Sequence, residues 1–254
     1  MKKLITILAI VLLATSSARI IEVADAGITD KLKAVIAAKN APAGTAYLFS
    51  EDFTTSNTED VASNTDFDSE ADTGGLLSVT SNEMHRDHTA ATIAQVSKDM
   101  GSTDYTDVYF YFTFEIDDEG SLGASKYANL LIAYSNDNTQ QLYVRLIADV
   151  DQNIRGFKLY TLGGADPQYY FDGAVNTEYP IKIHYKVGNP GAAELWVYTG
   201  GDWQAGAGNS TTEDLSGYTG VDHFNFGGDT NIADTTLNFK FDTFIFDDSD
   251  MGTP

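Results

Sequence analysis

The chain of 254 residues contains no cysteine. Disulfides, zinc–thiolate centres and cysteine nucleophiles are thereby excluded, so its loops have to be held by a packed core or by bound ions. Basic residues are scarce too: 15 Lys and Arg stand against 37 Asp and Glu, for a formal charge of −22. A surface of that sign repels nucleic acid, anionic membranes and polyanionic glycans, and it favours neutral partners or cations. It also keeps a chain soluble in salt. A Gly-x-Ser-x-Gly elbow is missing, which leaves the four histidines, His85, His88, His184 and His223, without a nucleophilic partner of that kind. His85 and His88 flank Asp87 and read as surface residues.

Long apolar runs are missing except at the start. Lys2 and Lys3 precede a nearly unbroken apolar stretch from Leu4 to Ala14, and small residues follow from Thr15 to Ala18. This predicts a secretory signal over residues 1–18, cut after Ala18, with Ala24-Asp-Ala26 as a second cut position, and hence a secreted or cell-surface location. The run is shorter than the roughly 20 residues a stable membrane span needs. In residues 19–44, Ile28, Leu32, Val35 and Ile36 recur at helical spacing before Asn40-Ala-Pro-Ala-Gly44. The spacing predicts a short amphipathic helix that packs on the domain edge or joins protomers into a homo-oligomer or filament through residues 19–40.

What the chain has in abundance is alternation. Val108 to Ile116, Leu142 to Ile147, Ile181 to Val187 and Leu237 to Ile245 each place apolar and polar residues in turn, separated by Gly/Asn/Asp turns. A period of two buries one face of each strand and frees the other. Strands are expected at 46–53, 76–81, 89–96, 105–117, 128–135, 141–150, 156–162, 168–174, 179–187, 193–199, 221–227 and 236–247, with a long acidic surface loop from Thr54 to Gly75. Short strands at this spacing predict an all-β fold, a two-sheet antiparallel jelly-roll sandwich over residues 45–250.

Four stretches, Glu51-Asp-Phe53, Tyr179 to Val187, Ala193 to Trp203 and Phe241 to Asp248, resemble the concanavalin A-like, laminin-G-like jelly-roll superfamily of lectins and glucanases. The resemblance covers roughly Ala46 to Asp248. It implies glycan binding, glycan cleavage or a structural surface role, often with a calcium ion tying the first strand to the last. At the matching positions Asp52 and Asp242 are the expected calcium ligands, and calcium would need further oxygens around them.

Parity supplies a candidate binding face. Where Leu195 and Val197 point inward, Trp196 and Tyr198 point outward; in the same way His184 opposes Ile183, and Tyr143 and Arg145 oppose Leu142 and Val144. Tyr160 and Trp203 extend this set to an aromatic platform suited to a pyranose. The reading is a secreted, non-catalytic, lectin-like domain for a neutral glycan. Two alternatives stay open beside it. One is a retaining glucanase-like hydrolase using Glu115, Asp117 and Glu119, whose spacing matches the superfamily's glucanase motif although Asp118 and Gly120 depart from it; a lyase built on His184, Tyr185 and Arg145 belongs beside it. The other is a structural subunit of an extracellular assembly.

Overall fold

Alternation becomes two facing sheets. The structure, a computed structural model, describes residues 47–250 apart from 55–57, 59, 73–74, 88–92, 118–125, 149–153, 164–165, 172–174 and 230–237. The expected signal, the helical segment 19–44 and Glu119 therefore lie outside the described residues.

In chain order the strands are β1 (Phe49–Glu51), β2 (Ser69–Asp72), β3 (Leu77–Thr80), β4 (Glu83–Arg86), β5 (Ala94–Asp99), β6 (Asp107–Ile116), β7 (Tyr127–Tyr134) and β8 (Gln140–Ala148). They continue as β9 (Ile154–Thr161), β10 (Gln168–Tyr170), β11 (Glu178–Lys186), β12 (Gly191–Thr199), β13 (Asp202–Ala205), β14 (Ser210–Glu213), β15 (His223–Asp229) and β16 (Phe239–Asp247). One sheet runs β13-β12-β11-β6-β16-β4-β3, with β1 on β16 and β14 on β12. The other runs β10-β9-β8-β7-β15-β5-β2. Every strand pairing in both ladders is antiparallel. The jelly-roll expectation is met.

Phenylalanine joins the sheets. Phe226 of β15 meets Phe241 and Phe244 of β16 at 4.4 Å between ring centroids, and Phe112 of β6 at 5.2 Å. Phe114 of β6 meets Phe157 of β9 edge-on at 5.3 Å. Edge-on and tilted pairs of this kind contribute about 0.5–1.5 kcal/mol each beyond the burial of their area.

Parity is broken once in β16. Asp242 pairs with Thr113 and Phe244 with Phe112, so Thr243, at φ +50°, is an extra residue bulged out of the ladder. The bulge lets Phe239 and Phe241 face the core before it and Phe244 and Phe246 after it.

Candidate active site

The outer face of the seven-stranded sheet carries three polar rows, each built from residues that directly oppose one another across strands. Asp99, His223 and Tyr134 form the first. Tyr160, Tyr143, Ile132, Asn225, Ser97 and Ser69 form the second, crossing six strands. Lys158, Arg145 and Asn129 form the third. Their inward neighbours Leu142, Val144, Leu146, Leu159, Phe224 and Phe226 are fully buried, and this fixes the rows outward.

Arg145 is the centre of this face. Its guanidinium carbon lies 3.7 Å from the ring centroid of Tyr127, 4.2 Å from Tyr143 and 4.7 Å from Tyr160, and its Nε donates to Asn129 Oδ1 at 2.8 Å. The rings fix the plane of the guanidinium by cation–π contact. Its two Nη groups have no hydrogen-bond partner among the described residues. Tyr143 and Tyr160 stack at 4.8 Å, and Lys158 Nζ sits 4.1 Å over the Tyr160 ring and 3.3 Å from an Asp166 carboxylate oxygen. Burial alone would lower the Lys158 pKa, but the Tyr160 phenol and the Asp166 carboxylate outweigh it and hold it above the usual lysine value. In the middle row Ser97 Oγ donates to Asn225 Oδ1 at 2.8 Å. The face therefore offers fixed donors, two cations and phenol groups together. That set suits a carboxylate-bearing sugar.

On the opposite outer face, that of the nine-stranded sheet, His184, Lys186 and Lys182 pair with carboxylates. His184 lies flat on Tyr109 at 4.3 Å and reaches Asp107 at 2.8 Å and Glu194 at 2.7 Å. Lys186 joins Asp107 at 2.7 Å, and the buried Lys182 joins Asp250 at 2.6 Å while standing 5.3 Å over Trp196. Burial would raise the Asp107 pKa, yet the bonds from Lys186 and His184 hold it below the usual value. Burial, with Asp250, Asp107 and Glu194 nearby, pushes Tyr109 up to about 12. Further along, carboxylate oxygens of Glu83, Glu115 and Glu178 lie within 4.8 Å of one another, and Lys240 Nζ enters that group 3.2 Å from Glu115 and 3.3 Å from Glu83.

The residues expected to form one platform divide between these faces. Tyr143, Arg145 and Tyr160 belong to the seven-stranded sheet, while His184, Trp196, Tyr198 and Trp203 belong to the nine-stranded one. Each points outward as expected, but the two sets have the whole core between them. Trp203 packs edge-on against Tyr198 at 5.5 Å and Tyr111 at 6.2 Å. Tyr185 faces the core and is fully buried, so the constellation His184, Tyr185 and Arg145 is not assembled. Glu115 is buried against Lys240, and Asp117 lies 3.8 Å from Lys240 and 3.6 Å from His85. Tyr127, Asn129, Lys158 and Asn225 are the additions. Parity would have found them, since each alternates with a buried neighbour.

Asp52 is exposed, and its Oδ1 accepts from the Thr54 hydroxyl at 2.8 Å and the Thr54 amide at 3.2 Å. Asp242 takes the Thr243 hydroxyl at 3.3 Å. Neither belongs to a group of three converging metal-ligating side chains among the described residues. Calcium takes six to eight oxygens, and these two carboxylates alone do not make such a cage. Glu51, one residue earlier, is the buried carboxylate here, and it accepts from the amides of Phe53 and Asp66 at 2.7 and 2.8 Å.

Taken together, the two sheets, their strand order and their antiparallel ladders are the concanavalin A-like jelly roll. Among solved structures of that fold, the chain is similar to the alginate lyase Aly36B, with TM-score 0.52 and 11% identity over 77% of this chain and 93% of that one. It is similar also to a variant of that lyase in complex with an alginate trisaccharide, with TM-score 0.51 and 10% identity over 78% and 97% of the two chains. A structure described as showing that cell entry of botulinum neurotoxin type C depends on interaction with two ganglioside molecules is matched at TM-score 0.47 and 9% identity, over 66% of this chain and 39% of that one. No protein-family model matches the chain, and no curated protein sequence matches it. The expectation of a non-catalytic lectin is overturned. The platform that carried it is split across the sandwich, and Aly36B, whose fold the chain shares, is described as an alginate lyase.

Proposed function

We propose that the chain is a polysaccharide-cleaving enzyme acting on a uronate-containing glycan by β-elimination, on the outer face of the seven-stranded sheet. The observation that carries the reading is the Arg145 guanidinium, held among three tyrosines with both Nη groups lacking a protein acceptor among the described residues. The fold shared with alginate lyases supports it.

The chemistry follows from the donors. Arg145 and the Asn129 amide bind the uronate carboxylate and draw charge from it, which makes the proton on the adjacent ring carbon easier to remove. Tyr160, with Lys158 beside it, takes that proton on its phenolate oxygen and so becomes the neutral phenol. The electron pair forms a double bond to the neighbouring ring carbon, the bond from that carbon to the glycosidic oxygen breaks, and the departing oxygen takes the proton back from the Tyr160 phenol; no water is consumed. A phenol on one side of the sugar serves both transfers when the proton and the leaving oxygen lie on that side.

The charge of −22 does not forbid an anionic substrate. Screening over about 8 Å at physiological salt leaves Arg145 and Lys158 to dominate the field at the face. Export, as expected from residues 1–18, belongs with this reading. No step runs through calcium.

A hydrolytic alternative would use Glu115 beside Glu178 and Glu83, but Lys240 already pairs with Glu115 and Glu83. The products separate the two. Elimination creates an unsaturated uronate that absorbs in the ultraviolet, whereas hydrolysis releases reducing ends without it. Incubation with polymannuronate, polyguluronate and polyglucuronate, read both ways, tests the proposal. Reducing ends without absorbance, or turnover of none of them, would refute it.

A further inference from the structure

A second feature of the seven-stranded sheet has nothing to do with Arg145. Where the β7–β8 turn meets the end of β5 and the start of β15, the surface holds an open cleft of about 280 Å³ lined by Asp68, Asp99, Asp222, Asn136, Asn138 and His223, among others. Its charge is one-sided. Lys98 is the lysine on its wall, and it is already engaged by Asp68 at 3.0 Å and by the Asp66 carbonyl at 2.9 Å.

Asp222 is the anomaly. Its side chain is 5% exposed, its Oδ2 lies 3.3 Å from His223 Nδ1, and its Oδ1 is buried with no hydrogen-bond partner among the described residues. A buried carboxylate oxygen without a donor or a cation costs free energy that a fold does not ordinarily leave uncompensated. Burial first, and then the nearby carboxylates of Asp99 and Asp104, push its pKa up against the pull of His223. The carboxylates of Asp99 and Asp104 beside it favour a cation at this position.

We propose that this cleft is a binding site for a hard divalent cation of calcium size, with Asp222 Oδ1 and the Asp99 carboxylate as its anionic ligands and the Asn136 and Asn138 carboxamides as neutral ones. The availability of these groups follows from their other bonds. Asp99 Oδ1 accepts from the Gly101 amide at 2.8 Å, which leaves Oδ2. The turn that presents Asn136 and Asn138 is fixed by the Ser135–Thr139 backbone bond at 2.9 Å and by Asp137, which accepts from Ser135 Oγ at 2.6 Å. Asn136 is anchored through its amide on Asp104 Oδ1 at 2.8 Å. Mixed carboxylate and carboxamide oxygens on a turn, with room left for waters, match calcium better than magnesium, which demands a tight octahedron. The ion would join β5, β15 and the β7–β8 turn. This site is distinct from Asp52 and Asp242.

The test needs no glycan. Titration of the chelator-treated protein with CaCl2 in a calorimeter is expected to give one site, and melting at a calcium concentration about 100-fold above its Kd is expected to rise by about 5–10 °C. MgCl2 at the same concentration gives a smaller rise. Asp222→Asn and, separately, Asp99→Asn abolish the heat and the shift, while the calcium-free melting point of Asp222→Asn stays at or above that of the parent because a buried charge has been removed. Asp99 is exposed, so Asp99→Asn keeps the test valid if Asp222→Asn fails to fold. The double variant Asp52→Asn/Asp242→Asn keeps the full response. No response in the parent, a response that survives both Asp99→Asn and Asp222→Asn, or a response lost in the Asp52/Asp242 double variant would each overturn the site.

Discussion

Replacing Arg145 with glutamine isolates the charge on which the proposed chemistry depends. Glutamine keeps a donor for Asn129 and much of the stem, but it removes the cation from among the rings of Tyr127, Tyr143 and Tyr160. Three half-exposed cation–π contacts, at about 0.5–1 kcal/mol each and not fully additive, put the loss of stability near 2 kcal/mol. For a chain of this size that is a fall of about 4–8 °C in Tm. The loss in catalysis is larger, because a fixed positive donor at a developing anion is worth about 3–4 kcal/mol, or a hundred- to thousandfold in kcat/KM. Arg145→Lys should fall between the two, retaining charge and losing the planar fork. The assay is the initial rate of ultraviolet absorbance on a polyuronate, with Tm measured on the same preparations. If Arg145→Gln stays folded and keeps kcat/KM within about threefold of the parent, Arg145 does not bind the reacting carboxylate and the mechanism falls.

Tyr160→Phe should lower kcat by about a hundredfold while leaving KM nearly unchanged, since it removes the proton acceptor and keeps the ring; an unchanged kcat assigns the base elsewhere. Phe226→Ala should cost about 3–5 kcal/mol, seen as an earlier midpoint in urea at unchanged slope, because Phe241 and Phe244 close on it at 4.4 Å; a loss below about 1 kcal/mol would mean the core relaxes around the gap. Gly156→Ala should detach β10 from β9, because at φ +154° an added Cβ runs into the Tyr169 carbonyl; hydrogen exchange at Leu159, whose amide donates to the Pro167 carbonyl, as slow as in the parent would show otherwise. Asp107→Asn should destabilise the fold at neutral pH by about 0.5 kcal/mol, kept small by the carboxylate's exposure. Since the folded Asp107 pKa lies below the usual 3.8, that stability is fully present above 3.8 and is lost as pH falls through the folded value. Parent and variant urea curves should therefore converge only in strong acid, and convergence already at pH 6 would remove Asp107 from the network.

The strands that could be read in advance are those whose apolar residues alternate for five or more positions, as in Val108 to Ile116. β2, β4, β13 and β14 escaped because Ser69-Glu-Ala-Asp72 and its like show no apolar pattern, and backbone pairing with a neighbour far away in sequence is what makes them strands. Side-chain parity was correct for Tyr143, Arg145, His184 and Trp196 one at a time. It could not say which sheet β8 and β11 join, because that is decided by the path of the chain between them. The β16 bulge at Thr243 is likewise invisible to a period-two rule, which would have turned either Phe241 or Phe244 to solvent.

The middle row on the seven-stranded sheet, from Tyr160 to Ser69, has a length that backbone pairing alone dictates. Five gaps between six strands come to roughly 24 Å. A polymer laid along that row is measured against a ruler of fixed extent, so turnover should climb with each added monomer until the ruler is filled and then level off, and dimers should scarcely be cut.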